Sequence, residues 1–212
     1  MGKDRAKNVA SYYVMTNKLK DVVRKGWKTW NVEKERVESV AEHIFGVQQL
    51  ALSVWSEYDL DLDIKKVLMM LAIHETEEVL IGDLAWYEIT EEEKMLKGHE
   101  AVEKVLELLS KKEELRELIL EFDERKTPEA IFAYHCDKME CDFQARLYDL
   151  DGWVNKDDQK NNEAIHSEKV KELFKKGLSF SEMWLEFDRS KFEGSTEFLE
   201  LLEYIKVNDI RK

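Results

Sequence analysis

Apolar residues recur at intervals of three and four along nearly the whole chain, and this spacing predicts a succession of amphipathic helices. Val9, Tyr12, Tyr13, Met15, Leu19, Val22 and Val23 predict a first helix over 8–24, with Gly26 as its stop and 27–32 as a short connector. Ser39-Val40-Ala41-Glu42 has the spacing of a capping box and starts a helix with Val40, Ile44, Val47, Ala51 and Val54 on one stripe. Asp61 or Asp63 can cap the next, in which Val67, Leu68 and Leu71 lead into His74 and Glu78 on the same face, with Gly82 as its end. A second capping box at Thr90–Glu93 opens a helix with Ala101, Val102, Val105 and Leu106 inward, and Leu115, Leu118, Ile119 and Phe122 continue the pattern. Thr127-Pro128 begins a helix whose stripe runs Ala130, Ala133, Asp137, Glu140, Gln144, the two alanines allowing a neighbouring backbone to come close. The polar stretch 149–162 predicts a long loop, and Ser179 and Ser195 open two last helices.

One proline and eight glycines in 212 residues leave little room for a turn-dense β architecture, so the expected fold class is all-α, in a single domain over 1–212 with no repeat or linker. A net charge of −13 argues against general nucleic-acid binding and against an anionic membrane surface, both of which need a basic footprint. No run approaches the roughly 18 apolar residues of a membrane span. Cys136 and Cys141 match neither a C-x-x-C metal motif nor a disulfide framework and read as reduced core thiols. Met1–Lys7 carry no apolar leader, so a soluble cytoplasmic protein is expected.

Chemistry enters where the apolar faces turn ionisable. His43 stands beside the stripe of its helix, His74 and Glu75 with Glu78 follow a buried run, Asp83 lies just past Gly82, and Asp137 sits on the alanine face. Burying such groups is costly unless a partner compensates them, and a metal ion satisfies imidazoles and carboxylates together. Each also has a plain structural reading: a hydrogen-bonded core histidine, or an Asp137 paired with Lys138, Arg146 or a tyrosine. Trp27 and Trp30 either anchor a loop on the core or offer a flat surface beside Arg24 and Lys25, suited to a ring attached to a phosphate. His99 shows no partner and is expected to be exposed.

The order histidine, histidine-acid, distant aspartate resembles the HD-domain superfamily of metal-dependent phosphohydrolases, and more closely its 5′-deoxynucleotidase (YfbR-like) branch. Gly26-Trp27 with Asn31-Val32, Glu38 to His43, His74-Glu75 with Glu78, Gly82 and Asp83, and Glu129-Ala130 leading to Asp137-Lys138-Met139-Glu140 and Gln144-Ala145 carry the likeness, over about 19–150. The resemblance implies an HD-type helical bundle with additional C-terminal helices in 151–212. It implies one divalent cation (cobalt, manganese, zinc, iron or magnesium) on His43, His74, Glu75 and Asp137. Glu78 and Asp83 match the catalytic carboxylates: Glu78 to accept a proton from the attacking water or orient it, Asp83 to protonate the leaving 5′-oxygen or hold the nucleophile in line. Arg24 or Lys25 corresponds to the phosphate-binding group and Trp27 to a pocket wall. The implied substrate is a (deoxy)nucleoside 5′-monophosphate and the implied assembly a homodimer. The chain departs from the pattern at Glu75, where the family has aspartate. The alternatives are an HD phosphohydrolase of another nucleotide or small phosphoester, and a catalytically weak HD-fold binding or regulatory protein. A dinuclear HD enzyme is disfavoured, since His99, His135 and His166 include no pair with ligand spacing.

Overall fold

The computed structural model describes residues 4–85, 87–159 and 161–212, with Glu91 as backbone only. Met1–Lys3, on which the leader-free start partly rests, lie outside the described residues. The helices are α1 (Arg5–Thr16), α2 (Lys25–Thr29), α3 (Val40–Glu57), α4 (Ile64–Ile73), α5 (Glu78–Ile81), α6 (Glu91–Leu106), α7 (Lys112–Glu124), α8 (Pro128–Leu150), α9 (Glu168–Lys175), α10 (Phe180–Asp188) and α11 (Thr196–Val207). No strand occurs among the described residues, and none of their helices is long and apolar enough to cross a membrane.

Helix α8 is the axis. Thr127 accepts from the Ala130 N–H and Pro128 fills the first turn, so the helix starts where the sequence says. It is then surrounded by α3, α4, α7, α10 and α11. Ala130 and Ala133 are fully buried against a core that includes Val47, Ala51, Met70, Leu71, Phe198 and Leu202. Larger side chains at those alanines would have to push whole helices apart, at about 1–3 kcal/mol each. The C-terminal half of α8 belongs to a second cluster, in which Ala145 and Tyr148 meet Trp27, Trp30, Phe180 and Met183. The C-terminal helices therefore pack on the same axis as the rest.

Three expectations about helices are corrected. The first helix ends at Thr16, followed by a 3-10 turn over Asn17–Lys20, and Gly26 lies within α2 instead of stopping a helix. Val22 and Arg24 are diverted into an antiparallel bridge at Val23 and Ser39: the Arg24 N–H donates to Glu38 O at 3.0 Å and the Val40 N–H to Val22 O at 2.8 Å. Pairing with the chain before α3 wins over local helical periodicity there. Second, α9 lies in a stretch where no helix was read. Third, the helix bearing His74 does not run on to Gly82. It stops at Ile73, and the N–H groups of Thr76, Glu78, Val79 and Leu80 bond three residues back, as in a 3-10 helix. The chain from His74 to Glu77 is thus a turn that joins α4 to α5. Gly82, at φ 72°, does end α5 as expected.

Candidate metal centre

His43 enters the core because Ser39 and Glu42 form the capping box that starts α3 and fix the register of its first turn. His74 caps the C-terminal end of α4, Glu75 follows it, and Asp137 comes from the middle of α8. One ligand atom from each of these four lies within 4.8 Å of all the others. His43 Nε2 is 3.1 Å from Asp137 Oδ1, and His74 Nε2 is 3.8 Å from the same oxygen and 3.9 Å from Glu75 Oε1. Ligands bound at about 2.1 Å to one ion sit roughly 3–3.5 Å apart, so a small inward shift closes the set.

Both imidazoles are held by the far nitrogen. His43 Nδ1 is 2.6 Å from Glu140 Oε2, and His74 Nδ1 is 2.9 Å from Leu71 O. A proton on each Nδ1 satisfies these acceptors and leaves each Nε2 lone pair directed at the cluster. His74 Nε2 is buried without a hydrogen-bond partner among the described residues. An unsatisfied imidazole nitrogen facing two carboxylates and a second imidazole is a donor set that fits a divalent cation.

The charges agree. Burial and Arg24 push the His43 pKa down, but Glu140 and Asp137 push harder and bring it to about 9. A proton on His43 Nε2 thus stands in for a cation and must leave when one binds. Burial would raise Glu75, yet His74, Arg24 and Lys94 hold it at about 2. Asp137 is held well below the usual range against its burial, chiefly by Lys138, whose Nζ is 2.7 Å from Oδ2. That pairing fulfils the structural alternative for Asp137 on one oxygen only, because Oδ1 still faces both imidazoles.

The other expected residues divide. Arg24 points inward, its Nη1 3.4 Å from Glu75 Oε1 and its Nη2 3.1 Å from Cys141 Sγ. Lys25 points outward to Glu88. Trp27 is only 1% exposed: its Nε1–H donates to Glu38 Oε2 at 2.6 Å, and its ring packs on Tyr148 and Trp184. Asp83 accepts the Lys25 N–H at 2.6 Å and so pins the start of α2, a structural duty that spacing did not reveal. Glu78 is 1% exposed with neither oxygen hydrogen-bonded among the described residues, and burial together with Glu75 and Asp83 raises its pKa well above the carboxylate range.

Two acids that sequence reasoning did not single out for the site belong to it. Glu140 orients His43, and the signal was its place three residues after Asp137 on the same stripe. Glu77 borders the cavity, its pKa raised to about 8 by burial and by Glu75, and only the 3-10 winding brings it round. His99, read as partnerless, is half-exposed with its Nε2 2.8 Å from Asp123 Oδ2. His43, Glu140 and Cys141 form a second potential ligand set. The four-residue set is the better candidate, because His74, Glu75 and Asp137 open onto a cavity of about 860 Å³ that Arg24, Asp83 and Trp27 also line. That volume falls within the range of small-molecule sites.

A helical bundle with its histidines and acids gathered in this way is matched by the HD-domain family model over residues 16–177, and the chain belongs to that family. Among its relatives, the bovine protein 5′-deoxynucleotidase HDDC2 is 30% identical over 147 residues, 68% of this chain and 69% of that one. The fission-yeast 5′-deoxynucleotidase hdd1 is 28% identical over 147 residues, 66% and 72% of the two chains. In fold the chain is similar to the PH0347 protein of Pyrococcus horikoshii, with a TM-score of 0.68 at 24% identity over 93% of this chain and 98% of that one.

Proposed function

We propose that the protein is a metal-dependent phosphohydrolase that removes the 5′-phosphate from (deoxy)nucleoside monophosphates, with His43, His74, Glu75 and Asp137 holding one divalent ion. The observation that carries this reading is the meeting of those four side chains, three of which (His74, Glu75 and Asp137) line a cavity that also receives Arg24. Relatives with the 5′-deoxynucleotidase name support the nucleotide substrate. When bound, the ion supplies Lewis acidity toward a phosphoryl oxygen and makes water a stronger acid.

The chain's own groups do the rest. Arg24 holds Glu75 at 3.4 Å, a long contact that a phosphate can replace with shorter, bidentate ones. Asp83 borders the cavity with one oxygen engaged by the Lys25 N–H, leaving the other to handle the proton of the leaving 5′-oxygen. Glu77 brings a second acid to the same cavity, and Glu78 acts from within the core through its charge coupling to Glu75 and Asp83. Glutamate at 75 fits this geometry because its longer side chain spans from the His74 nitrogen to Arg24.

We also assign residues 1–212 to one HD-type domain, supported by the packing of α10 and α11 on α8. A homodimer is supported by the exposed Phe45, Leu52 and Met69 on α3 and α4, and a reducing, cytoplasmic setting by two buried free cysteines. The test of the activity is phosphate release from deoxy- and ribonucleoside monophosphates with cobalt, manganese, zinc, iron or magnesium added in turn. Release only from phosphoesters without a nucleoside would move the assignment to a different HD phosphohydrolase. Release from none, with every metal, would reject it.

A further inference from the structure

The cavity is not closed by the HD core alone. Its far wall comes from α10, which begins three residues beyond the family match at 177, and the large ring on that wall is Trp184. Trp184 is held by ring contacts: its centroid is 4.8 Å from that of Trp27 and 6.1 Å from that of Phe180. Its tip is close enough to α2 that a methyl added at Gly26 would lie 3.7 Å from it. Nothing polar fixes the ring, because its Nε1–H is shut off from water and has no acceptor among the described residues. A buried donor left in that state costs about 1–3 kcal/mol, so the ring is kept here by its aromatic contacts alone.

We propose that Trp184 is the nucleoside-recognition residue of this enzyme: the base of the substrate packs on its ring while the phosphate is held at Arg24 and the metal site. The proposal rests on the function given above and adds to it the part of the substrate that the HD motifs do not contact. Arg24 caps α2, Gly26 lies in its first turn against the Trp184 ring, and Arg24 and Trp184 line the same cavity, so phosphate arm and aromatic wall face one ligand space. Because Trp184 leans on Trp27, one rigid aromatic block backs both ends of the substrate.

Two measurements on the metal-loaded full chain test this: equilibrium binding and turnover, each with a deoxynucleoside 5′-monophosphate and with 2-deoxyribose 5-phosphate, which lacks a base. Stacking of one base on one ring leads us to expect Trp184→Leu to weaken nucleotide binding and raise its KM by about ten- to a hundredfold, with kcat changed far less. The preference for nucleotide over the sugar phosphate should fall by at least tenfold, and Trp184→Phe should recover most of it. Equal losses on both ligands would mean that the ring only supports α2 and would overturn the proposal. So would a selectivity indifferent to residue 184, which would place the nucleoside against the Tyr87 and Met95 side of the cavity. Trp184-dependent nucleotide binding without phosphate release would keep the wall and reject the hydrolase reading; release with Trp184-independent KM would do the reverse. Absence of both binding and release in the wild-type chain would reject the two together.

Discussion

Gly46 sits inside α3, one turn after His43, where a glycine costs helix stability. Replacing it with alanine in an ordinary exposed helix gains about 0.5–1 kcal/mol. Here the added methyl would lie 2.6 Å from Glu140 Oε1, 3.1 Å from Cδ and 3.2 Å from Cγ. The first distance is shorter than real Cβ contacts and the next two are tight, so the Glu140 carboxyl must shift, and the bond of its other oxygen to His43 Nδ1 is expected to be strained or lost. A hydrogen bond to a charged group contributes about 1.5–3 kcal/mol, which exceeds the helix gain. Gly46→Ala is therefore expected to be less stable by about 1–2 kcal/mol, a fall in Tm of roughly 2–8 °C for a chain of this size. It should also bind metal about 10–100-fold more weakly, as when the outer partner of a ligand histidine is lost. Thermal unfolding without metal and titration against a chelator measure the two effects. Glu140→Gln, which keeps an acceptor oxygen in place, should show a smaller loss in both. A Gly46→Ala chain with a higher Tm and unchanged metal affinity would refute the arrangement of Glu140 on His43.

His74→Ala should abolish stoichiometric metal content in the purified protein, while an exposed change such as Lys126→Ala leaves it intact; equal content in the His74 variant would remove the site. Arg24→Ala should raise KM for a nucleoside monophosphate by tenfold or more and lower stability, because Glu75 and Asp83 lose a nearby cation, and steady-state kinetics with a melting curve separate the two effects. Asp142 is fully buried with neither oxygen partnered, and burial, reinforced by Asp188 and only partly opposed by Lys191 and Lys138, raises its pKa well above 3.8. Since the folded-state value is raised, native stability is fullest below the unfolded pKa and declines as pH climbs toward the folded one. Asp142→Asn removes that decline: it should gain on the order of 1–3 kcal/mol at neutral pH and nothing near pH 3.5, so parallel melting curves at all pH values would count against it.

The gathering of the four candidate ligands could be read from the sequence because these residues sit where local rules are strong. The capping box at Ser39 and Glu42 fixes the register that buries His43, and Thr127 with Pro128 does the same for Asp137. What local rules did not reach were decisions taken by tertiary contacts. The 22–24 segment has helical periodicity but pairs with the chain before α3, and the His74–Glu77 turn winds tightly, which exchanges Glu77 for Glu78 at the cavity. Asp83 looked free for chemistry alone because the N–H it accepts comes from a residue 58 positions away. Trp184 was legible as an amphipathic-helix residue, but only the packing of α10 brings it to the cavity.

The bridge at Val23 and Ser39 closes 24–38 into a ring of chain whose two ends are tied by backbone hydrogen bonds. Its base presents Arg24 and leads into His43, and its far side, 33–36, is fully exposed. That far side is still tethered, by the Glu33 N–H on Trp153 O, by Lys34 over the Tyr148 ring and by Arg36 on Glu42. Changes in its length would therefore pull on the capping box that sets His43, which makes the loop a lever on the metal site.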